Sequence, residues 1–255
     1  VYYVSENNRL AGALIRRGDY LRADGHVRTA LRLSAEVMGK DSFNYSAMLE
    51  TAAQLAEARD DPAAAEAAWR EALAVRRAAI GDGHPDTHDL ELQLGLLLAR
   101  HGHAEGDALV RHAHAAWLPR IPAGSANGLR VRQGWAEWLL LKDRRDDARA
   151  ALASMAAEAA AASPETALRQ QVLQAMALQR EGDAAAVAAW REVVAASARL
   201  SGADSARTAR WRLALAGALA RAGGRGEQEA ARAAPVLRAQ LAASSPLLRE
   251  LPPPR

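Results

Sequence analysis

The sequence predicts an all-α fold, a solenoid of about six stacked helix pairs, and three observations predict it. The first is a period. Moving the chain by 42 residues lays Ala30-Leu31 on Ala72-Leu73, Gly39 on Gly81, and Gly18 on Asp60 and then Gly102. The second is a near-copy. AAAEAAWREALAVRRAAIG, from Ala63 to Gly81, returns 121 residues later as AAAVAAWREVVAASARLSG, from Ala184 to Gly202. The third is local composition: Ala, Leu, Glu and Arg fill these stretches, and Gly or Asp punctuates them, as helices joined by tight turns require. Repeats of this length hold two helices each and bury a core only by stacking on their neighbours.

Taken in order, Gly18, Asp60, Gly102, Asp143, Gly182 and Gly223 mark the turn inside each pair, at spacings of 42, 42, 41, 39 and 41. Seven residues before each turn stand Ala11, Ala53, Gly95, Ala136, Ala175 and Ala216, small enough for the second helix to approach closely. Four before each turn stand Leu14, Ala56, Leu98, Leu139, Leu178 and Leu219, one helical turn away on the same face. Gly39, Gly81 and Gly202 fall where a pair ends, since glycine adopts the left-handed conformation just past a helix. Pro85 and Pro164 follow such stops. The units expected are 5–39, 40–81, 82–121, 122–162, 163–202 and 203–245 of a single domain, 1–255, with 246–255 an extended tail. The connection from Leu118 to Gly128 carries two prolines and is the expected place for a bend or a mobile loop. The N-terminal VYYV has no place in the repeat and suits a cap, an inter-chain contact or the end of a linker. The final helix is expected from about Glu227 to Ala243, with Pro235 kinking or starting it.

The inter-repeat segment IGDGHPDT (Ile80 to Thr87), together with Ala72-Leu73 and Gly102, resembles tetratricopeptide repeats of the longer form typified by kinesin light chain. That resemblance implies a right-handed superhelical solenoid working as a protein-interaction or sensory module. The C-terminal third, from SGADSARTARWRLALAGALARAGGRGEQEA to SSPLLRE, looks like the repeats that follow the kinase domain in many proteobacterial serine/threonine kinases. This implies a sensor or docking region regulating an attached kinase, periplasmic if that kinase is membrane-bound; a free-standing adaptor would be cytoplasmic.

Composition limits the classes. Net charge is +3 and the basic residues are arginine except Lys40 and Lys142, so the total does not indicate nucleic-acid binding. Cysteine is absent, which removes disulfides, thiol catalysis and zinc–thiolate sites. No apolar run reaches the ~18 residues of a membrane span. The chain begins with Val and carries no signal pattern behind it, as a piece of something longer would. There is no phosphate loop, nucleophile elbow or His-Glu-x-x-His run, so no enzyme activity, catalytic residue or cofactor is expected.

In a stack of this kind the first helix of each pair lines the concave wall. Counting back from the turns places Asn8, Arg16, Glu50, Gln54, Glu57, Asp89, Arg100, Arg130, Gln133, Glu137, Arg169, Gln179, Arg180, Arg210 and Arg221 on it. Acid gathers in the N-terminal half and arginine in the C-terminal half. One reading is a groove for an extended peptide or a helix, whose acidic segment would lie over Arg130, Arg169, Arg180, Arg210 and Arg221 through paired guanidinium donors. The other is a solvated face of internal Arg–Glu pairs.

Six of the seven histidines lie between His84 and His114. His84 and His88 share a helix face, and antiparallel pairing would bring His112 or His114 near His88. The cap motif accounts for His84, however, and no carboxylate is seen to complete a metal site, so none is expected and surface placement is the leading account, ahead of a pH response. Trp69, Trp117, Trp190 and Trp211 read as core. Trp135 and Trp138, beside the proline-bearing connection, are the pair expected to floor a hydrophobic pocket, which would suit a small-molecule or signal-peptide receptor.

Overall fold

The computed structural model describes residues 2–122, 124–180 and 184–253. Among them are thirteen α-helices and no strand. They pair antiparallel in chain order: α1 (Tyr2–Arg17) with α2 (Tyr20–Met38), α3 (Phe43–Ala58) with α4 (Pro62–Ile80), and α5 (Pro85–Arg100) with α6 (Ala104–Trp117). Next come α7 (Ala126–Leu141) with α8 (Arg145–Ser154) and the short α9 (Ala156–Ala161), then α10 (Pro164–Arg180) with α11 (Ala185–Ser201), and α12 (Ala206–Arg221) with α13 (Glu227–Gln240). The fold is an all-α solenoid.

The turns inside the pairs share one device. Gly18, Asp60, Gly102, Asp143 and Gly223 all have positive φ, between 58° and 79°, the left-handed residue that ends a helix and reverses the chain. Asp60 and Asp143 adopt it without being glycine, as short polar side chains can. The turn expected at Gly182 lies outside the described residues. The connectors between pairs repeat as well: Thr87 Oγ1 donates to the carbonyl of Gly81 at 2.8 Å, and Thr208 Oγ1 to that of Gly202 at 2.9 Å. Ser42, Ser125 and Ser205 cap α3, α7 and α12 by accepting from the amide three residues on.

The small residues stand where the helices come closest. Ala11, Ala53, Ala136 and Ala175 are fully buried. A Cβ on Gly95 would lie 2.9 Å from the Val110 amide nitrogen and 3.0 Å from Leu109 Cβ, so α5 and α6 touch there backbone to backbone. Leu98 and Leu139 are buried beside these positions, and Trp69, Trp117, Trp138 and Trp190 fill the space between pairs.

Three local expectations are corrected. VYYV is not outside the repeat: Tyr2 to Val4 form the first turn of α1, with Val4 buried against Ala30 and Met48 and both tyrosines in solvent. The stretch 246–255 is not an extended tail throughout. Pro246–Arg249 is a 3-10 turn, and Leu251 is buried with Leu237 and Leu241, held by Arg238 donating to the carbonyls of Leu251 and Pro252; Pro254 and Arg255 lie outside the described residues. The connection after α6 packs inward instead of hanging free: Leu118 to Arg120 is a 3-10 turn, and Leu118 and Ile121 rest on the largest core cluster. Ala123 lies outside the described residues.

One feature of the architecture has no counterpart in the repeat pattern. The two ends of the solenoid meet. Gln240 Oε1 accepts from the amides of Tyr20 and Leu21 at 2.9 and 3.1 Å. Ser201 Oγ donates to the Arg16 carbonyl at 2.8 Å, and the Ala242 amide to the Arg59 carbonyl at 2.8 Å. Ala206 is buried in one cluster with Ala11, Leu14 and Tyr20. At the centre of the seam is Asp60, whose Oδ1 accepts from Arg210 Nη2 at 2.8 Å and whose Oδ2 accepts from Ser245 Oγ at 2.6 Å and the Leu247 amide at 3.2 Å.

Candidate functional site: the central cavity

Closure of the ends converts the concave wall into a cavity of about 750 Å³. Every first helix lines it. Ile15 and Arg16 come from α1, Gln54 and Glu57 from α3, Leu97 and Arg100 from α5, Glu137 from α7, Leu168 to Met176 from α10, and Arg207, Arg210 and Trp211 from α12. The side chains face inward because α1, α3, α5, α7, α10 and α12 present to the centre the face opposite their pairing partners, which take the small-residue stripe.

The charges on this wall are organised as a ladder. Arg100 Nη1 donates to Glu57 Oε2 at 2.6 Å and its Nε to Glu137 Oε1 at 2.8 Å, so one guanidinium joins α3 to α7. Arg169 Nη2 then donates to Glu137 Oε2 at 3.2 Å, which brings in α10. Arg207 pairs with Glu165 at 2.5 Å, and Arg210 reaches Asp60 and the Glu57 carbonyl. Burial alone would push the Glu137 carboxyl up, but Arg100 and Arg169 outweigh it and hold the group below the ordinary carboxylate value. Arg100 is correspondingly held above the usual arginine value, its two carboxylates outweighing burial. Glu57 is fixed from behind as well, since Trp69 Nε1 donates to its Oε1 at 2.7 Å; Trp190 does the same to Gln179 at 2.6 Å in the duplicated unit.

Seven of the residues expected on the groove line the cavity together: Arg16, Gln54, Glu57, Arg100, Glu137, Arg169 and Arg210. The others whose side chains are described are not brought to it. Asp89 is buried under Arg130 at 3.0 Å, and burial, ahead of that guanidinium, raises its carboxyl. Glu50 lies 3.6 Å from Arg76, its carboxyl raised by burial and by nearby Asp89. Gln133 is buried, its Nε2 donating to the Thr166 carbonyl and Gln170 Oε1. Gln179 is occupied by Trp190, Arg221 is exposed on the last turn of α12, and the side chain of Arg180 lies outside those described. Asn8 has its Oδ1 buried without a partner. The side chains missed on sequence are the apolar ones. Leu168, Val172, Leu173 and Met176 on α10, with Trp211, form one wall of the cavity; at helical spacing beside alanine they read as core, and only the closure shows that they also face inward.

Trp135 and Trp138 do not line this cavity. Trp138 is buried with its Nε1 on Asp107 Oδ1 at 2.9 Å, and Trp135 stacks between it, at 4.7 Å, and His114, at 4.1 Å. The expected absence of a carboxylate among the histidines is also corrected. His88 Nδ1 and His112 Nδ1 both lie on Glu91 Oε2, at 3.0 and 2.9 Å. His84 stands apart as the N-cap of α5, its Nδ1 accepting from the Asp86 amide.

Comparison with known proteins agrees with the helix-pair fold. A family model described as tetratricopeptide repeat matches residues 4–78, which are α1 to α4 but for their outermost residues. Over those residues the chain is similar to tetratricopeptide repeats. Among solved structures, the nearly identical TPR-like repeats of a kinesin-light-chain candidate from Podosopora anserina superpose with a TM-score of 0.53 at 17% identity, covering 77% of this chain and 95% of that one. A single-substitution variant of the same protein gives 0.54 at the same identity and coverage. At that identity the likeness concerns the fold. No match is found among curated proteins. Among the described residues, no helix is long and apolar enough to cross a membrane.

Proposed function

We propose that this domain is a protein-interaction module that holds a peptide segment in the central cavity, anchored by apolar side chains. The observation that supports it is the cavity itself: all six first helices converge on it, and one wall carries Leu168, Val172, Leu173, Met176 and Trp211. The occupant is not chiefly an acidic tract. Five arginines (Arg16, Arg100, Arg169, Arg207 and Arg210) share the lining with five carboxylates (Glu57, Asp60, Asp61, Glu137 and Glu165). Arg100, Arg169, Arg207 and Arg210 are already paired, so an incoming carboxylate gains little net attraction. A role as sensor or docking region for a serine/threonine kinase rests on the C-terminal sequence alone.

The test is selection from a random peptide display library by the native chain, followed by direct binding of the recovered peptides to Gln54→Trp. Gln54 is exposed within the cavity, so the larger ring obstructs the space while the ion pairs stay in place. Peptides rich in apolar residues that bind the native chain and lose at least about tenfold on Gln54→Trp support the reading. Peptides that bind both equally place recognition on another surface and refute it.

A second reading has one observation in its favour. The volume lies within the range of about 300 to 1,000 Å³ usual for small-ligand pockets, with Trp211 on the lining. A small molecule seated against that indole ring would quench or shift tryptophan fluorescence in the native chain and leave Trp211→Phe unchanged.

A further inference from the structure

Outside the cavity, the first turns of α5 and the middle of α6 bring two imidazoles and a carboxylate to one point. His88 and Glu91 are three residues apart on α5 and both are buried; His112 comes from α6 and is more than half exposed, so the cluster opens to solvent through it. The two Nδ1 atoms approach the same oxygen, Glu91 Oε2, at 3.0 and 2.9 Å, and the rings meet edge to face at 5.5 Å. Glu91 Oε1 is taken by Arg77 Nη2 from α4 at 2.7 Å, and Arg77 also meets Asp82 at 3.1 Å. The carboxylate is therefore oriented by one oxygen and offers the other to the imidazoles.

We infer that His88, Glu91 and His112 form a binding site for a divalent transition metal of the zinc type, with one coordination position open to solvent. Two imidazole nitrogens and one carboxylate oxygen are a donor set that such ions accept, usually with water as the fourth ligand. The size fits. Ligand atoms about 2.0–2.1 Å from a tetrahedral ion stand about 3.3 Å apart. The three donor atoms here already lie within 4.8 Å of one another, and the two hydrogen-bonded contacts need to lengthen by only a few tenths of an ångström. Arg77 would then do for the ligating carboxylate what outer-shell donors do in metal sites, holding its second oxygen.

His88 Nε2 is buried with no hydrogen-bond partner. Coordination through Nδ1 places the imidazole proton on Nε2 and replaces the hydrogen bond to Glu91 Oε2 by bonds from both groups to the metal. For His112 the same shift places the proton toward solvent. Binding would cross-link α5 to α6 and, through Arg77, to α4.

Zinc chloride titrated calorimetrically into the metal-stripped chain tests this, beside His112→Gln and His84→Ala, with circular dichroism confirming that both variants are folded. One equivalent should bind the native chain and His84→Ala alike, with affinity at least about tenfold lower for His112→Gln. The cobalt form of the native chain should show the visible bands of a tetrahedral ion. No saturable binding, affinity unaltered by His112→Gln, or an equal loss in both variants would overturn the assignment.

Discussion

If Asp60 holds the two ends of the solenoid together, Asp60→Gly opens the seam. The side chain takes three hydrogen bonds, from Arg210 Nη2, Ser245 Oγ and the Leu247 amide. Bonds to a charged group are worth about 1.5–3 kcal/mol each when buried. Asp60 is 22% exposed and Arg210 33%, so solvent screening reduces the ion pair in particular. Glycine relieves the left-handed backbone by about 1 kcal/mol and loses a similar amount through a freer unfolded chain. The expected cost is about 2–3 kcal/mol. The repeat supplies its own control: Asp143 has the same φ of 58° in the fourth pair, but there its carboxylate meets Arg145 at the surface. Asp143→Gly should cost less than Asp60→Gly, because exposed ion pairs are worth little. Urea unfolding reads both free energies, and hydrogen exchange at the amides of Leu247 and Ala242 reads the seam directly. Equal stability of the two variants, with those amides as protected in Asp60→Gly as in the native chain, would refute the closure.

Other outcomes follow from single contacts. Gly95→Ala should destabilise by about 1–3 kcal/mol, because its Cβ would press on the Val110 backbone, whereas Gly25→Ala, in open space on α2, should stabilise by about 0.5–1 kcal/mol in the same thermal denaturation series. Glu137 is held below its ordinary value of 4.5, so its contribution is present above that pH and lost as pH falls through the lower folded value; Glu137→Gln should flatten the acid limb of a stability–pH profile measured by urea unfolding.

Much of the fold was legible because a repeat states its rules several times over. Gly18, Asp60, Gly102, Asp143 and Gly223 were identifiable as turns from spacing, and each has the left-handed backbone that explains the residue type. The small residue seven positions earlier was legible for the same reason, since Gly95 and the alanines all answer to one close approach. The meeting of Arg16, Tyr20 and Asp60 with Ser201, Arg210 and Gln240 was not legible. It depends on a small rotation accumulated over six units, which no local pattern encodes. The apolar wall was hidden for a related reason: Val172 and Met176 look the same whether a helix covers them or a cavity does. Glu91 is not legible beside His88 and His112 because spacing along the chain does not show that α6 lays His112 over the carboxylate one turn after His88.

The arginine and acid on the concave wall were open to two readings, a charged groove awaiting a partner or a set of internal pairs, and the geometry favours a combination of the two. Glu57, Arg100, Glu137 and Arg169 pass charge from α3 through α5 and α7 to α10, each link joining neighbouring units, and Arg210 returns it to the turn beside α3. In a solenoid the interface between neighbours carries much of the stability, so these pairs belong first to the stack. They also hold the wall rigid. A ligand that displaced one of them would leave its partner charge unpaired, and a new carboxylate would only restore the pairing it had broken. A ligand that leaves the ladder intact and covers the partly exposed Met176 and Trp211 incurs no such cost and gains about 25 cal/mol for each Å² of apolar surface it shields. Selectivity would then come from the size and shape of apolar side chains, with the ion pairs as the frame that keeps the space open.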